Sequence, residues 1–141
     1  MYIGAELSAR GRRAAVAACR LGLLTAATGL AFVAAAHAQP SAEEIYQRQC
    51  AACHSLEPGR NLLGPTLHDI IGRKAGGLDS FGNYSEALKE SDVIWDAETL
   101  DPWIEAPNEF IPGNRMVYRG LKDEQQREQL IDFLQEQDGG G

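Results

Sequence analysis

Cys50-Ala51-Ala52-Cys53-His54 is the stretch on which the reading of the whole chain turns. Residues three and four apart share a helix face, so at helical spacing both thiols and the imidazole project to one side. Two thiols so placed can add to the two vinyl groups of one haem, while the neighbouring imidazole reaches the iron. Cys-x-x-Cys-His is the attachment signal for such a covalently held haem. Three other uses compete. A structural zinc wants four ligands, and the chain past residue 38 offers only Cys50, Cys53, His54 and His68 of the sulfur and imidazole kind. The neighbours Cys53 and His54 close one tetrahedron with Cys50 poorly. A dithiol redox pair wants a preceding strand and a βαβ setting, which the sequence does not offer. The third alternative is a pair of buried, inert cysteines. The spacing favours haem.

Outward from this stretch the pattern is helical. Ser41-Ala42-Glu43-Glu44 has the form of a capping box and opens a helix that carries Ile45, Tyr46, Cys50 and Cys53 and is expected to end near His54. Thr66 to Ile71 reads as one helical turn between Pro65 and Gly72, and Ser85 to Glu90 as a second short helix. Asp96 to Ala106 reads as a helix stopped by Pro107 and bent or shortened by Pro102. Lys122 to Gln137 is the clearest helix, with Leu130, Ile131, Phe133 and Leu134 on one face. No stretch alternates with period two, so the fold class expected is all-α. The loops Pro58 to Pro65 and Lys74 to Tyr84 are long for a chain of this size. The apolar side chains are too few and scattered for a dense core, and a flat cofactor such as haem would complete it.

The opposite side of the iron decides what such a haem does, because a six-coordinate iron mostly moves electrons. Two residues could supply that ligand. Met116, the only methionine besides Met1, lies in the turn-rich Ile111-Pro112-Gly113-Asn114-Arg115-Met116. Its thioether would favour Fe(II) and raise the potential, and its alternative role is gap filling. His68 is the other candidate, with a surface or hydrogen-bonded histidine as its alternative. The expected metal ligands are His54 and Met116.

The first forty residues have a different composition. Arg10, Arg12, Arg13 and Arg20 precede or interrupt an apolar run from Leu21 to Ala36, followed by Ala36-His37-Ala38. This is the layout of a cleaved signal peptide over 1–38, leaving a domain over 39–138 and a frayed glycine tail over 139–141. The run falls short of the roughly 20 residues of a spanning helix, and retention of 21–38 as a membrane anchor is the alternative. Val16-Ala17-Ala18-Cys19 resembles a lipidation box but precedes the apolar run, and Arg12-Arg13 lacks the rest of a twin-arginine motif. Of the 13 Lys+Arg, four lie in 1–38, and of the 20 Asp+Glu only Glu6 does, so the remainder holds 9 basic against 19 acidic residues, a formal −10. That charge excludes nucleic acid as a partner and favours a basic or neutral one. With Cys19 gone, Cys50 and Cys53 would be the only cysteines, and so short a disulfide loop is a poor staple for an exported domain.

These motifs, with Gly64-Pro65-Thr66-Leu67-His68, Gly72-Arg73-Lys74, Tyr84-Ser85-x-Ala87, Trp95-x-x-Glu98-Thr99-Leu100, Pro107-x-x-Phe110-Ile111-Pro112-Gly113-x-x-Met116, Gly120-Leu121-Lys122 and Arg127-x-x-Leu130-Ile131-x-Phe133-Leu134, resemble a class I cytochrome c in order over nearly all of Glu43 to Glu136. The resemblance implies about four or five short helices and long loops around one haem c, with the first and last helices crossing at Ile45, Tyr46, Leu130 and Phe133. It implies that the Pro65 carbonyl takes the His54 ring N–H, which would orient the ligand. It places Arg73, Tyr84 and Trp95 around the haem propionates and Met116 on the iron. It implies a one-electron carrier, not an enzyme, working as a periplasmic monomer without a substrate. Its partners would be redox proteins such as a cytochrome bc-type complex, a terminal oxidase or reductase, a reaction centre or a dehydrogenase. A dedicated dehydrogenase subunit, or a small haem peroxidase or gas sensor with a labile methionine, are the other functional readings. The departures from the family pattern are Ala42, Trp103, Asn114, Tyr118 and the pair Asn108-Glu109. Arg60, Arg73, Lys74, Arg115, Arg119 and Lys122 could form a basic rim for docking.

Overall fold

The computed structural model describes residues 39–139. The expectations for 1–38, whether signal or anchor, and for the last two glycines lie outside them. Five helices are described: α1 (Ala42–Gln49), α2 (Glu86–Lys89), α3 (Ala97–Glu105), α4 (Pro107–Phe110) and α5 (Glu124–Asp138). Lys74 and Ile94 form an isolated antiparallel bridge. The fold is all-α, as expected.

Each longer helix starts where a side chain meets its free N–H groups. Ser41 Oγ accepts from the Glu44 N–H at 3.2 Å and the Glu44 carboxylate accepts from the Ser41 N–H at 2.9 Å, a complete capping box. Asp96 accepts from the Thr99 N–H at 2.8 Å, and Asp123 from the Gln126 N–H at 3.0 Å. The apolar stripe of α5, Leu130, Ile131 and Leu134, is buried against α1 and α3, which contribute Ile45, Tyr46, Leu100 and Ile104. Tyr46 and Phe133 stack at 5.9 Å. This is the crossing that the family resemblance implied. Leu130 is fully buried there, and truncating such a leucine to alanine costs roughly 2–5 kcal/mol.

Two expectations are corrected. α1 stops at Gln49 rather than near His54, because the N–H groups of Cys50 and Ala51 converge on the Tyr46 carbonyl, at 2.8 and 3.1 Å, and close the helix. Cys50 to His54 is instead a tight turn, held by Cys53 and His54 N–H bonds to the Cys50 carbonyl. Thr66 to Ile71 is not helical. The Thr66 hydroxyl binds the Ser55 and Glu57 carbonyls, Leu67 N–H binds the Ser55 carbonyl at 2.8 Å, and Asp69 adopts φ +54. Those side-chain bonds hold the backbone away from a helical ladder. Pro107 does end α3, and it also opens α4 as its first residue, where its missing N–H costs nothing. Pro102 is accommodated inside α3.

The long loops are tied down by side chains bonding to backbone. Asn61 receives the Thr66 N–H at 2.9 Å and donates to the Ser80 carbonyl at 2.9 Å, joining the two loops. Arg127, a buried cation on α5, donates to Asp101 on α3 at 2.6 Å and to the Leu121 and Lys122 carbonyls at 3.1 Å each. It fastens the loop after Met116 to two helices.

Candidate functional site

The turn after α1, the 61–73 loop, the Tyr84 segment, α3, α5 and the Met116 segment enclose a cavity of about 320 Å³. Interiors of small domains are close-packed, with few voids larger than a water, so a cavity this size is a binding site. Leu67, Ile70, Trp95, Leu100, Trp103, Ile104, Leu130 and Leu134 give it apolar walls. Cys50, Cys53, His54, Pro65, Arg73, Tyr84, Trp95 and Met116, the residues expected to hold the haem, all line this one cavity. A second hollow of about 360 Å³, lined by Asp101, Glu124, Glu128 and Asp132 with Ala97 and Ile131, is acidic and unsuited to an apolar ligand.

Both cysteines are free thiols. Burial, with Cys53 adding to it, pushes the Cys50 thiol up to about 12. Among the described residues no three His, Cys, Asp or Glu side chains gather to hold a metal ion, so the donor set does not fit zinc. The His54 Nδ1 lies 2.7 Å from the Pro65 carbonyl. A carbonyl can only accept, so Nδ1 carries the proton and Nε2 keeps the lone pair that a metal needs. Burial lowers the His54 pKa, against the opposing pull of that hydrogen bond. The Tyr46 hydroxyl donates to the His54 carbonyl at 2.8 Å, fixing the backbone under the ring. Gly64 completes the seat: a Cβ there would lie 2.7 Å from His54 Nδ1 and 2.9 Å from Nε2. Neither Gly64 nor Tyr46 is expected in this duty from the sequence; a glycine immediately before the ligand-supporting Pro65 was the available signal.

Arg73 Nε and Nη1 donate to the Asp69 and Thr66 carbonyls at 3.2 and 2.8 Å, and Nη2 donates to that of His68. The guanidinium is thereby locked at the cavity wall. Trp95 bonds to the backbone on either side of it, accepting the Gly72 N–H at 2.7 Å and donating its own N–H to the Arg73 carbonyl at 2.9 Å. Burial raises the Tyr84 pKa, and the neighbouring Arg73 charge pulls it partly back. Trp103 stands 5.2 Å from Trp95 and 6.5 Å from Phe110, ring centre to ring centre. His68 does not line the cavity; its Nε2 faces Asp69 at 3.2 Å.

Of the six candidate rim cations, only Arg73 and Arg115 line the cavity. Arg60 pairs with Glu57 at 2.5 Å and Lys74 with Asp92 at 3.1 Å, while Lys122 donates to the Glu105 carbonyl at 2.8 Å. The exposed side chains lining the cavity include Leu63, 77% exposed, and Val117, wholly exposed. Its rim is more apolar than basic.

A helical cage whose apolar cavity opens onto a Cys-x-x-Cys-His turn is the housing of a covalently attached haem. The family model for cytochrome c matches residues 41–138, and the chain belongs to the cytochrome c family. It is 41% identical over 98 residues to cytochrome c2 of Rhodomicrobium vannielii, covering 69% of this chain and 77% of that one. To cytochrome c type-1 of Ascaris suum it is 39% identical over 97 residues, covering 69% and 86%. Cytochrome cH from Methylobacterium extorquens has a similar solved structure, with TM-score 0.61, 35% identity and coverage of 67% of this chain and 94% of that one. The protein is thus an electron carrier rather than an enzyme, with one haem c on Cys50 and Cys53 and redox proteins as partners. The cavity fits that group: apolar walls, two free thiols at its edge and a histidine with its metal-binding nitrogen available.

Proposed function

We propose that the protein is a periplasmic monomer that shuttles single electrons between respiratory or photosynthetic redox partners, with His54 and Met116 as its axial iron ligands. The observation that carries this reading is that Met116 and His54 line the same cavity as Cys50 and Cys53. The bound haem supplies the one-electron couple, and a thioether ligand places it at positive potential. The chain's part is to hold both ligands still. Pro65 orients His54, and the apolar walls keep water from the site, so that little rearranges when the charge changes. Arg73, with Tyr84 and Trp95 beside it, is a fixed positive charge placed to offset the burial of propionate carboxylates. Docking uses the apolar lip at Leu63 and Val117, with Arg115 close by. The chain past residue 38 would reach this compartment after cleavage of 1–38.

The test is spectroscopic. Oxidised protein is expected to show the weak far-red band of a methionine–ferric-haem bond, lost in Met116→Leu, and its reduced form is expected not to bind carbon monoxide. A far-red band surviving in Met116→Leu, or carbon monoxide binding to native reduced protein at neutral pH, defeats the ligand assignment. Intact mass of the exported protein, expected at a Gln39 start plus one haem, checks cleavage and haem count together.

A further inference from the structure

The Met116 segment, from Gly113 to Gly120, runs along the cavity with little secondary structure to hold it. Among the described residues its main-chain hydrogen bonds are local: Asn114 N–H to the Ile111 carbonyl at 3.2 Å and Tyr118 N–H to the Met116 carbonyl at 3.0 Å. No main-chain bond fixes the Met116 N–H. A side chain does: Asn114 Oδ1 accepts it at 2.9 Å. The same amide's Nδ2 donates to the carbonyls of Pro107 and Ile111, each at 2.9 Å, and lies 3.1 Å from Asn108 Oδ1. Pro107 and Ile111 bracket α4, which packs on α3. One side chain therefore connects the backbone of Met116 to the end of a helix.

We infer that Asn114 is the positioning residue for Met116, setting how readily the methionine leaves the iron. This deepens the proposed His54/Met116 ligation and rests on it. Asparagine suits the task because one planar amide offers an acceptor on one side and two N–H donors on the other. The acceptor holds the chain two residues on, as in an Asx-turn, and the donors add a second bond to each of two carbonyls at the ends of α4 that already accept a main-chain N–H. The threonine that the family resemblance leads one to expect here has one hydroxyl and cannot hold Met116 N–H and both carbonyls together. Gly113, at φ +85, supplies the left-handed residue that brings Asn114 back over α4. Cross-cavity bonds from Arg115 to Asn83 at 3.2 Å and from Tyr118 to Gln49 at 3.2 Å hold the segment's side chains but not the Met116 backbone.

The experiment compares the native haem-loaded protein with Asn114→Ala and Asn114→Thr. Free imidazole is titrated into the ferric form and its displacement of Met116 followed by loss of the far-red band. Imidazole is expected to bind about tenfold more tightly to Asn114→Ala, the worth of about one net hydrogen bond, and to an intermediate degree in Asn114→Thr. Amide hydrogen exchange of Met116, which reads the backbone bond rather than the haem spectrum, is expected to quicken by about tenfold or more in Asn114→Ala. Imidazole affinity unchanged within about twofold, with Met116 exchange also unchanged, overturns the inference. A drop in global stability without either change shows a purely structural residue and overturns it too. A native protein lacking the far-red band refutes the ligation reading instead, and the exchange of Met116 then decides the Asn114 bond alone.

Discussion

Replacing Gly64 with alanine tests the seat of the haem ligand directly. Gly64 does not occupy a left-handed backbone conformation, so alanine is allowed there by φ and ψ and any penalty must come from the added methyl group. That methyl would press hardest on His54 Cε1 and stand 2.7 Å from Nδ1, where ordinary contact begins at 3.4 Å, so ring or loop must retreat by about 1 Å. The Nδ1–Pro65 bond, at 2.7 Å, would stretch past the useful range if the ring moved, leaving a buried carbonyl unpaired. Overpacking contributes about 1–3 kcal/mol and the weakened hydrogen bond about 0.5–1.5, so a loss of roughly 2–4 kcal/mol is expected. The control is Gly72→Ala: Gly72 has φ +80 with no atom within 4 Å of where its methyl group would stand, so only backbone strain of about 1–2 kcal/mol applies. Denaturant unfolding of the two haem-loaded variants measures the difference, and the visible haem spectrum reports displacement of the ligand. Gly64→Ala no less stable than Gly72→Ala, with an unaltered spectrum, would show that the close contact constrains nothing.

Other expectations follow from the same packing. Arg127→Ala strands the Leu121 and Lys122 carbonyls while leaving Asp101, 39% exposed at its side chain, free to rehydrate; a stability loss of about 2–3 kcal/mol by urea unfolding is expected, and less than about 1 would refute the role. Tyr118→Phe removes the bond to Gln49 at the cavity edge and should cost at most about 1 kcal/mol while speeding imidazole entry to the ferric iron; an unchanged entry rate would show that the bond is no clamp. With 9 basic against 19 acidic residues past residue 38, association with a basic redox partner should slow as salt is raised from low to physiological, by roughly tenfold. An acidic partner whose association slowed with salt would show that the local rim outweighs the net charge.

What the sequence revealed divides along physical lines. Cap residues and apolar periodicity act within one turn of chain, and they located the starts of α1, α3 and α5 to within a few residues, α1 through the capping box at Ser41. Ligand spacing was likewise local for Cys50, Cys53 and His54, which line one cavity even though α1 ends before them, whereas Pro65, Arg73, Tyr84 and Trp95 were expected there from the family resemblance. The failures came where distant groups compete for a backbone donor or acceptor. Thr66 looks helical by its neighbours, yet Ser55 and Glu57, far behind it, decide its conformation. Arg73 reads as a charge for propionates, and its first occupation is the carbonyls of its own loop. Lys74 and Arg60 read as a docking rim, but Asp92 and Glu57 beside them neutralise both, a pairing across loops that spacing alone does not display for Lys74.

Those failures share a cause that bears on function. A small chain wrapped round a large flat group must build much of the wall from loops, and every carbonyl there that is hidden from water needs a donor. Asn61, Thr66, Arg73, Asn114 and Arg127 meet that need, Arg73 within its own loop and the others by joining loop backbone to another part of the chain. Such bonds do more than satisfy polarity. They give loops the stiffness that a helix obtains from its own ladder, and stiffness is what an electron carrier requires, because the same cage must suit both charge states of the iron. The histidine side receives the denser support, through Pro65, Tyr46 and the close approach of Gly64, whereas the Met116 backbone depends on Asn114. When the site loosens, the methionine side should therefore yield first, and the His54 ring should remain in place until the helix crossing itself unfolds.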